Sequence, residues 1–160
     1  MNVQLALVCD HAIIDQHGKL SVLGIFDRIW VERFPAIHPR LHLVLRLKGR
    51  RIEVGDHSVL IQLVDDTGRE VLRGEGNVQI GEPPAGVVDI EAAAVLAFDV
   101  PLERTGIYTF QITVDGAHAA SVPITVAQMP APMHPAPPQL PPMPPMPPMP
   151  PMPPTPPIIN

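Results

Sequence analysis

Val3, Leu5, Leu7 and Cys9 alternate with Gln4, Ala6 and Val8 at the start of the chain. A period of two marks a strand with one face in a core, so a strand is expected and Cys9 is read as a core residue. Asp15-Gln16-His17-Gly18 follows as a turn, since Asp and Gly both suit a reversal of direction. Leu20, Val22 and Gly24 open a second extended run that continues through Ile25, Phe26, Ile29 and Trp30. The two runs are expected to pair as a hairpin. Phe34-Pro35-Ala36-Ile37-His38-Pro39 then breaks the alternation. Each proline lacks a backbone donor and pushes the residue before it towards an extended conformation, which predicts a segment crossing between sheets.

Leu41, Leu43, Leu45 and Leu47 alternate with His42, Val44, Arg46 and Lys48 in the clearest strand of the chain. After Gly49 to Asp56, Val59, Ile61 and Leu63 form another, and Asp65-Asp66-Thr67-Gly68 supplies a tight turn. Val71 to Ile80 is the returning strand, loosened by Gly74 and Gly76, and residues 81–86 form a loop. Val88, Ile90, Ala94, Leu96, Phe98 and Val100 make the next run, where the alanines at 92–94 leave room for a short helical piece. Tyr108, Phe110, Ile112 and Val114, the turn Asp115-Gly116 and a last strand over 120–126 complete the pattern. Short strands at regular spacing predict an all-β sandwich over residues 1–128. Gly106 ahead of Tyr108 at a strand head resembles the tyrosine corner of immunoglobulin-like antiparallel sandwiches. Pro123 predicts that the last strand is an edge or carries a bulge.

Residues 129–160 have another character. They hold 17 of the 23 prolines and six of the seven methionines, with no Asp, Glu, Lys or Arg. This segment is expected to be a disordered tail, because its composition cannot bury a core and favours polyproline II. Met143, Met146, Met149 and Met152 recur every third residue, so three residues per turn place them on one face. They read either as a ligand strip for a proline-recognising groove or as a low-complexity spacer. Thioethers also suit Cu(I), but neighbouring methionines would sit about 9 Å apart along the axis, too far to share one ion.

Eleven Lys and Arg against 16 Asp and Glu give a net charge of −5, and the only dense basic run is Lys48, Arg50, Arg51. A phosphate backbone would be repelled, and aromatics at 4% are too few for base stacking. No nucleic-acid partner is expected. The lone Cys9 suits a reducing, cytoplasmic setting. Met1 to Asp10 has neither a basic residue nor a long apolar run, so no signal peptide or membrane span is expected.

No catalytic motif emerges. None of Ser21, Ser58 and Ser121 sits in a Gly-x-Ser-x-Gly context, and neither phosphate-cradling glycine motif occurs. Among the histidines, His38 and His42 come closest to a metal pair, but no Cys or carboxylate follows at a suitable offset. Asp10, Asp15, Asp27, Asp65, Asp66, Asp99 and Asp115 fall near strand ends without a calcium-loop pattern; aspartates also favour turns. No catalytic residue, cofactor or metal is therefore expected.

Leu23-Gly24-Ile25-Phe26-Asp27-Arg28-Ile29, the segment Phe34 to Pro39, and Leu43-Val44-Leu45-Arg46-Leu47 together resemble a family of small bacterial domains. Those domains also open like Val3-Gln4-Leu5-Ala6 and end with a Gly-x-Tyr-x-Phe strand, here Gly106 to Phe110. The resemblance covers residues 1–127 and implies a compact β-sandwich of bacterial origin with no established activity. It directs attention to Phe26, Asp27, Arg28, Trp30, Phe34, Pro35, His38 and Pro39 as a candidate interaction surface. The alternative is that Gly24, Pro35 and Pro39 shape a connection while Phe26, Trp30 and Phe34 fill the core. The function expected is a non-catalytic cytoplasmic interaction module with a protein partner and a tail that tethers or serves as a ligand. Two other classes stay open: a small-ligand or metal site at one end of the sandwich, and self-assembly through exposed strand edges.

Overall fold

The computed structural model describes residues 1–87 and 89–130. Val88, the rest of the tail and its methionines Met143, Met146, Met149 and Met152 lie outside the described residues. The alternating runs become strands β1 (Asn2–Ile14), β2 (Leu20–Ile25), β3 (Arg28–Val31), β4 (Ala36–Arg50), β5 (Gly55–Val64), β6 (Glu70–Ile80), β7 (Asp89–Leu102), β8 (Gly106–Val114) and β9 (Ala117–Gln128). One sheet has the order β2-β1-β4-β7 and the other β3-β9-β8-β5-β6. A 3₁₀ turn, Arg51–Glu53, links β4 to β5. The alanines at 92–94 lie within β7 and form no helical piece, because their neighbours on β4, Leu47, Arg46 and Leu45, bind them into the sheet.

The core lies between the two sheets. Leu41, Leu43, Leu45 and Leu47 from β4 cluster with Ile61 and Leu63 from β5, Tyr108, Phe110 and Ile112 from β8, and Ile124 from β9. All ten are almost completely buried, and each such side chain stabilises the fold by roughly 1.5–3 kcal/mol relative to exposure. A second, smaller cluster of Cys9, Ala12 and Val44, with Leu20 and Val22 packed on it, lies apart from this core. Val44 alternates with the core leucines of β4, so this cluster sits on the outer face of the four-stranded sheet. The turn between β1 and β2 lines the same cleft as Leu5 and Leu7, although it joins the far end of β1. The hairpin thus curls back over that face.

Three turns use the chemistry read from the sequence. Asp15 Oδ1 accepts from the N–H groups of His17 and Lys19, each at 2.8 Å. Asp65 Oδ1 accepts from Thr67 and Arg69 N–H, each at 3.0 Å. Asp115 and Gly116 both have positive φ, +51° and +78°, the geometry of a two-residue hairpin loop matched to strand twist. The Tyr108 hydroxyl donates to the Arg104 carbonyl at 3.1 Å, which ties the head of β8 to the preceding corner. Pro123 shares the alternation of Thr125, whose N–H donates to Asp27 O at 2.8 Å. Its missing donor therefore faces a flank of β9 that β3 does not reach, since β3 pairs only with Thr125–Gln128.

Three further expectations need correction. The run from Leu20 to Trp30 is not one strand but two, in different sheets. Phe26 N–H still donates to Val8 O of β1 at 3.4 Å, whereas Asp27 O already accepts from β9. The change of sheet takes one residue, shortly after Gly24 at φ +67°. The sandwich is also not wholly antiparallel, because β3 runs parallel to β9 in the register Arg28↔Thr125 to Val31↔Gln128. The crossing between sheets is confined to residues 32–35, and Ala36 to Pro39 already belong to β4.

Candidate functional site

The short edge strand β3 sets the site. Ile29 and Val31 point into the core and are buried, so alternation turns Arg28 and Trp30 outward. Trp30 stays 51% exposed, which corrects the reading in which it fills the core alongside Phe26 and Phe34. Those two rings do pack against the core as partly buried residues. The Arg28 guanidinium lies 5.7 Å from the centre of the Trp30 ring, a cation–π contact that holds both side chains on the surface.

A cleft of about 310 Å³ runs between this edge and the start of β4, walled by Trp30, Val31, Glu32, Arg33, Ile37, His38 and Leu102. Ile37 is 69% exposed there. The backbone contributes as well. Asp27 O and Val31 O accept from β9, so the alternation of strand hydrogen bonding leaves the backbone groups of Arg28 and Trp30 on the edge that meets no other strand among the described residues. The cleft therefore combines an indole, an aliphatic side chain and an open strand edge.

His38 closes one end. Its ring meets Phe26 edge to face with centroids 5.6 Å apart, and burial pushes its pKa below the ordinary imidazole value against the pull of Asp10. The neutral ring suits an apolar neighbour. His42, the residue weighed with His38 as a metal pair, lies elsewhere. A bulge falls between His38 and Leu41, with Arg40 at φ +51°. His38 pairs with the core residue Val100 and so shares its face, whereas His42 follows the bulge, pairs with Ala97 and contacts His11 at 5.4 Å on the outer face. The extra residue separates the two imidazoles.

Of the eight residues singled out from the sequence, Trp30 and His38 line the cleft, while Arg28 and Phe26 support them from outside it. Phe34 packs towards the core. Asp27, Pro35 and Pro39 are exposed but do not form its walls; Pro35 follows a cis peptide bond. Val31, Glu32, Arg33, Ile37 and Leu102 were missed. Ile37 alone carried a signal, as an aliphatic residue isolated between two prolines.

Polar clusters elsewhere hold the fold. Asp65 is buried and, besides the Thr67 and Arg69 N–H groups, accepts from the Thr67 hydroxyl at 2.5 Å and from Arg104 at 3.0 Å. Led by the Thr67 hydroxyl bond, these donors hold its carboxyl far below the usual carboxylate range. His57 has Nδ1 2.6 Å from Asp115 Oδ2 and Nε2 2.7 Å from Glu53 O. Both nitrogens face acceptors, so the doubly protonated ring fits and its pKa is raised, chiefly by Asp115. Cys9 is buried, which raises its thiol pKa, and it donates to His11 O at 3.4 Å. Among the described residues no three His, Cys, Asp or Glu side chains assemble as a metal set, and no helix is long and apolar enough to cross a membrane.

A family of unknown function, DUF6941, matches residues 4–127. The chain belongs to it. The DUF6941 match begins at the third residue of β1 and stops one residue short of the end of β9, so it takes in both sheets, the cleft and the curled hairpin but not the tail. No curated protein matches the chain. The functional reading of this DUF6941 sandwich therefore rests on its own residues.

Proposed function

We propose that the chain is a non-catalytic, cytoplasmic protein-interaction module that takes an extended segment of a protein partner in the cleft between β3 and β4. The observation that carries this reading is the half-exposed Trp30 on a strand edge that meets no other strand among the described residues, facing the exposed Ile37 across the cleft. An indole offers a large, stiff apolar surface together with one donor. An extended peptide can lay apolar side chains on such a surface and use the free edge for backbone hydrogen bonds. The cleft volume falls at the lower end of the range for ligand pockets, about 300–1,000 Å³, which suits a few residues of peptide.

The test is a titration of isotope-labelled full chain with extended apolar and proline-bearing peptides, followed by amide chemical shifts. Saturable changes are expected at residues 28–38, with at least tenfold weaker binding for Trp30→Ala. Shifts confined to other strands, or equal binding by the variant, reject the reading; turnover of a defined substrate would reject its non-catalytic part.

Self-assembly has an observation of its own. Edge strand β2 and its partner β1 expose Leu23 (71%), Ile25 (64%) and Ile13 (53%), an apolar strip beside an edge that meets no other strand among the described residues. Light scattering across a hundredfold range of concentration separates this from a monomer, and Leu23→Lys abolishes any association that depends on the strip.

A further inference from the structure

We infer that the resident occupant of the Trp30 cleft is the chain's own proline-rich segment, Pro141 to Pro154, docked within the same molecule. This deepens the proposed function and rests on the cleft being a peptide site.

Three observations support the assignment. The first is where the described chain ends. Gln128 Nε2 donates to Glu32 O at 3.1 Å, and Met129 N–H donates to Val31 O at 2.9 Å. Glu32 and Val31 are themselves walls of the cleft, so the chain leaves β9 at the lip of the site. Ten residues, 131–140, then precede the proline-methionine repeat. At up to about 3.3–3.6 Å each they span roughly 33–36 Å, ample for the chain to turn back over β3. A short tether of this kind places the segment near its site at about millimolar effective concentration.

The second is chemical complementarity. Pro141 to Pro154 repeats Pro-Pro-Met and carries no charge. Prolines have no N–H to satisfy, whereas their carbonyls accept from donors such as the Trp30 indole and the open edge of β3. Polyproline II is already ordered before it binds, so docking on an aromatic surface costs little conformational entropy. Methionine thioethers add adaptable contacts to the ring.

The third is the exposure of Trp30 and Ile37 together in one cleft. An uncharged segment of the same chain would cover both without a separate partner, and its docking would be insensitive to salt. Self-docking also sets a threshold: an external peptide must compete with the tail.

Trp30 is the only tryptophan of the chain, so its fluorescence reports the site directly. The full chain is compared with a variant of equal length in which every Pro and Met from 141 to 154 becomes Gly or Ser. With the natural tail, acrylamide quenching of Trp30 is expected to be at least twofold weaker and the emission shifted to the blue, unchanged on hundredfold dilution and in high salt. Equal quenching in the two chains overturns the inference. Protection that disappears on dilution also overturns it, because a second copy would then be the source. A synthetic Pro141–Pro154 peptide is next added to the replaced chain. If it protects Trp30 saturably while the natural chain shows no protection, the self-docking fails and the peptide site stands. If neither it nor other extended peptides act on Trp30 while the two chains quench alike, both readings fall.

Discussion

His57 links the loop after β4 to the β8–β9 turn through two acceptors, Glu53 O and the Asp115 carboxylate. Its folded-state pKa is raised above the ordinary value of 6.5, so its stabilisation is fully present below that value and is lost as pH rises through the folded pKa. The Asp115 carboxyl is lowered, first by the same bond; its contribution is present above the ordinary 3.8 and is lost as pH falls through its folded value. The difference in melting temperature between the natural chain and His57→Gln should therefore be largest near about pH 5–6 and shrink on the alkaline side. A difference that grows with pH contradicts the pairing. Gly24 makes a separate prediction. At φ +67° a side chain there costs about 1–2 kcal/mol in backbone energy alone, and an added Cβ would overlap the Asp10 carboxylate. Gly24→Ala should lower stability by more than this backbone cost, and Asp10→Ala in the same chain should recover only the steric part. Urea unfolding of the single and double variants measures both.

The bulge of β4 is the element on which the site depends. Inserting one extra residue between His38 and Leu41 reverses which residues face inward, and it brings His38 to the cleft while sending His42 to the outer face. Arg40 sits at the bulge at φ +51° and donates its N–H to Asp99 Oδ1 at 2.9 Å. Glycine adopts this conformation without the Cβ penalty, and the backbone donor survives the change. Arg40→Gly is expected to raise stability by about 0.5–1 kcal/mol, read as a shift in urea midpoint at constant slope; a loss of that size would mean that the Arg40 side chain contributes more than its strain. The strand runs were legible in the sequence because alternation reports one buried face per strand. The bulge was not, since Pro39 announces a break without saying which way the chain resumes.

At the scale of the molecule, the two clusters of apolar residues have different consequences. Phe110 is fully buried in the core between the sheets, and Phe110→Ala should cost roughly 3–5 kcal/mol, lowering stability for every probe at once. Leu23 lies on the outer edge, 71% exposed, and Leu23→Ser should stay within about 0.5 kcal/mol. Thermal unfolding of both variants checks the contrast, and a large loss at Leu23 would place the strip inside a folded interface. The order of residues alone settles that the chain is built from alternating strands and where its hairpins reverse, because a local period of two and an Asp-Gly turn are physics of neighbouring residues. It also marked the segment from Phe26 to Pro39 as unusual. That this segment changes sheet within one residue, that β3 runs parallel to β9, and that Trp30 faces outward over a cleft are settled by the folded chain. Those outcomes depend on pairing between residues far apart in the chain, such as Trp30 with Ala127, and alternation reports that a face is buried without reporting what buries it.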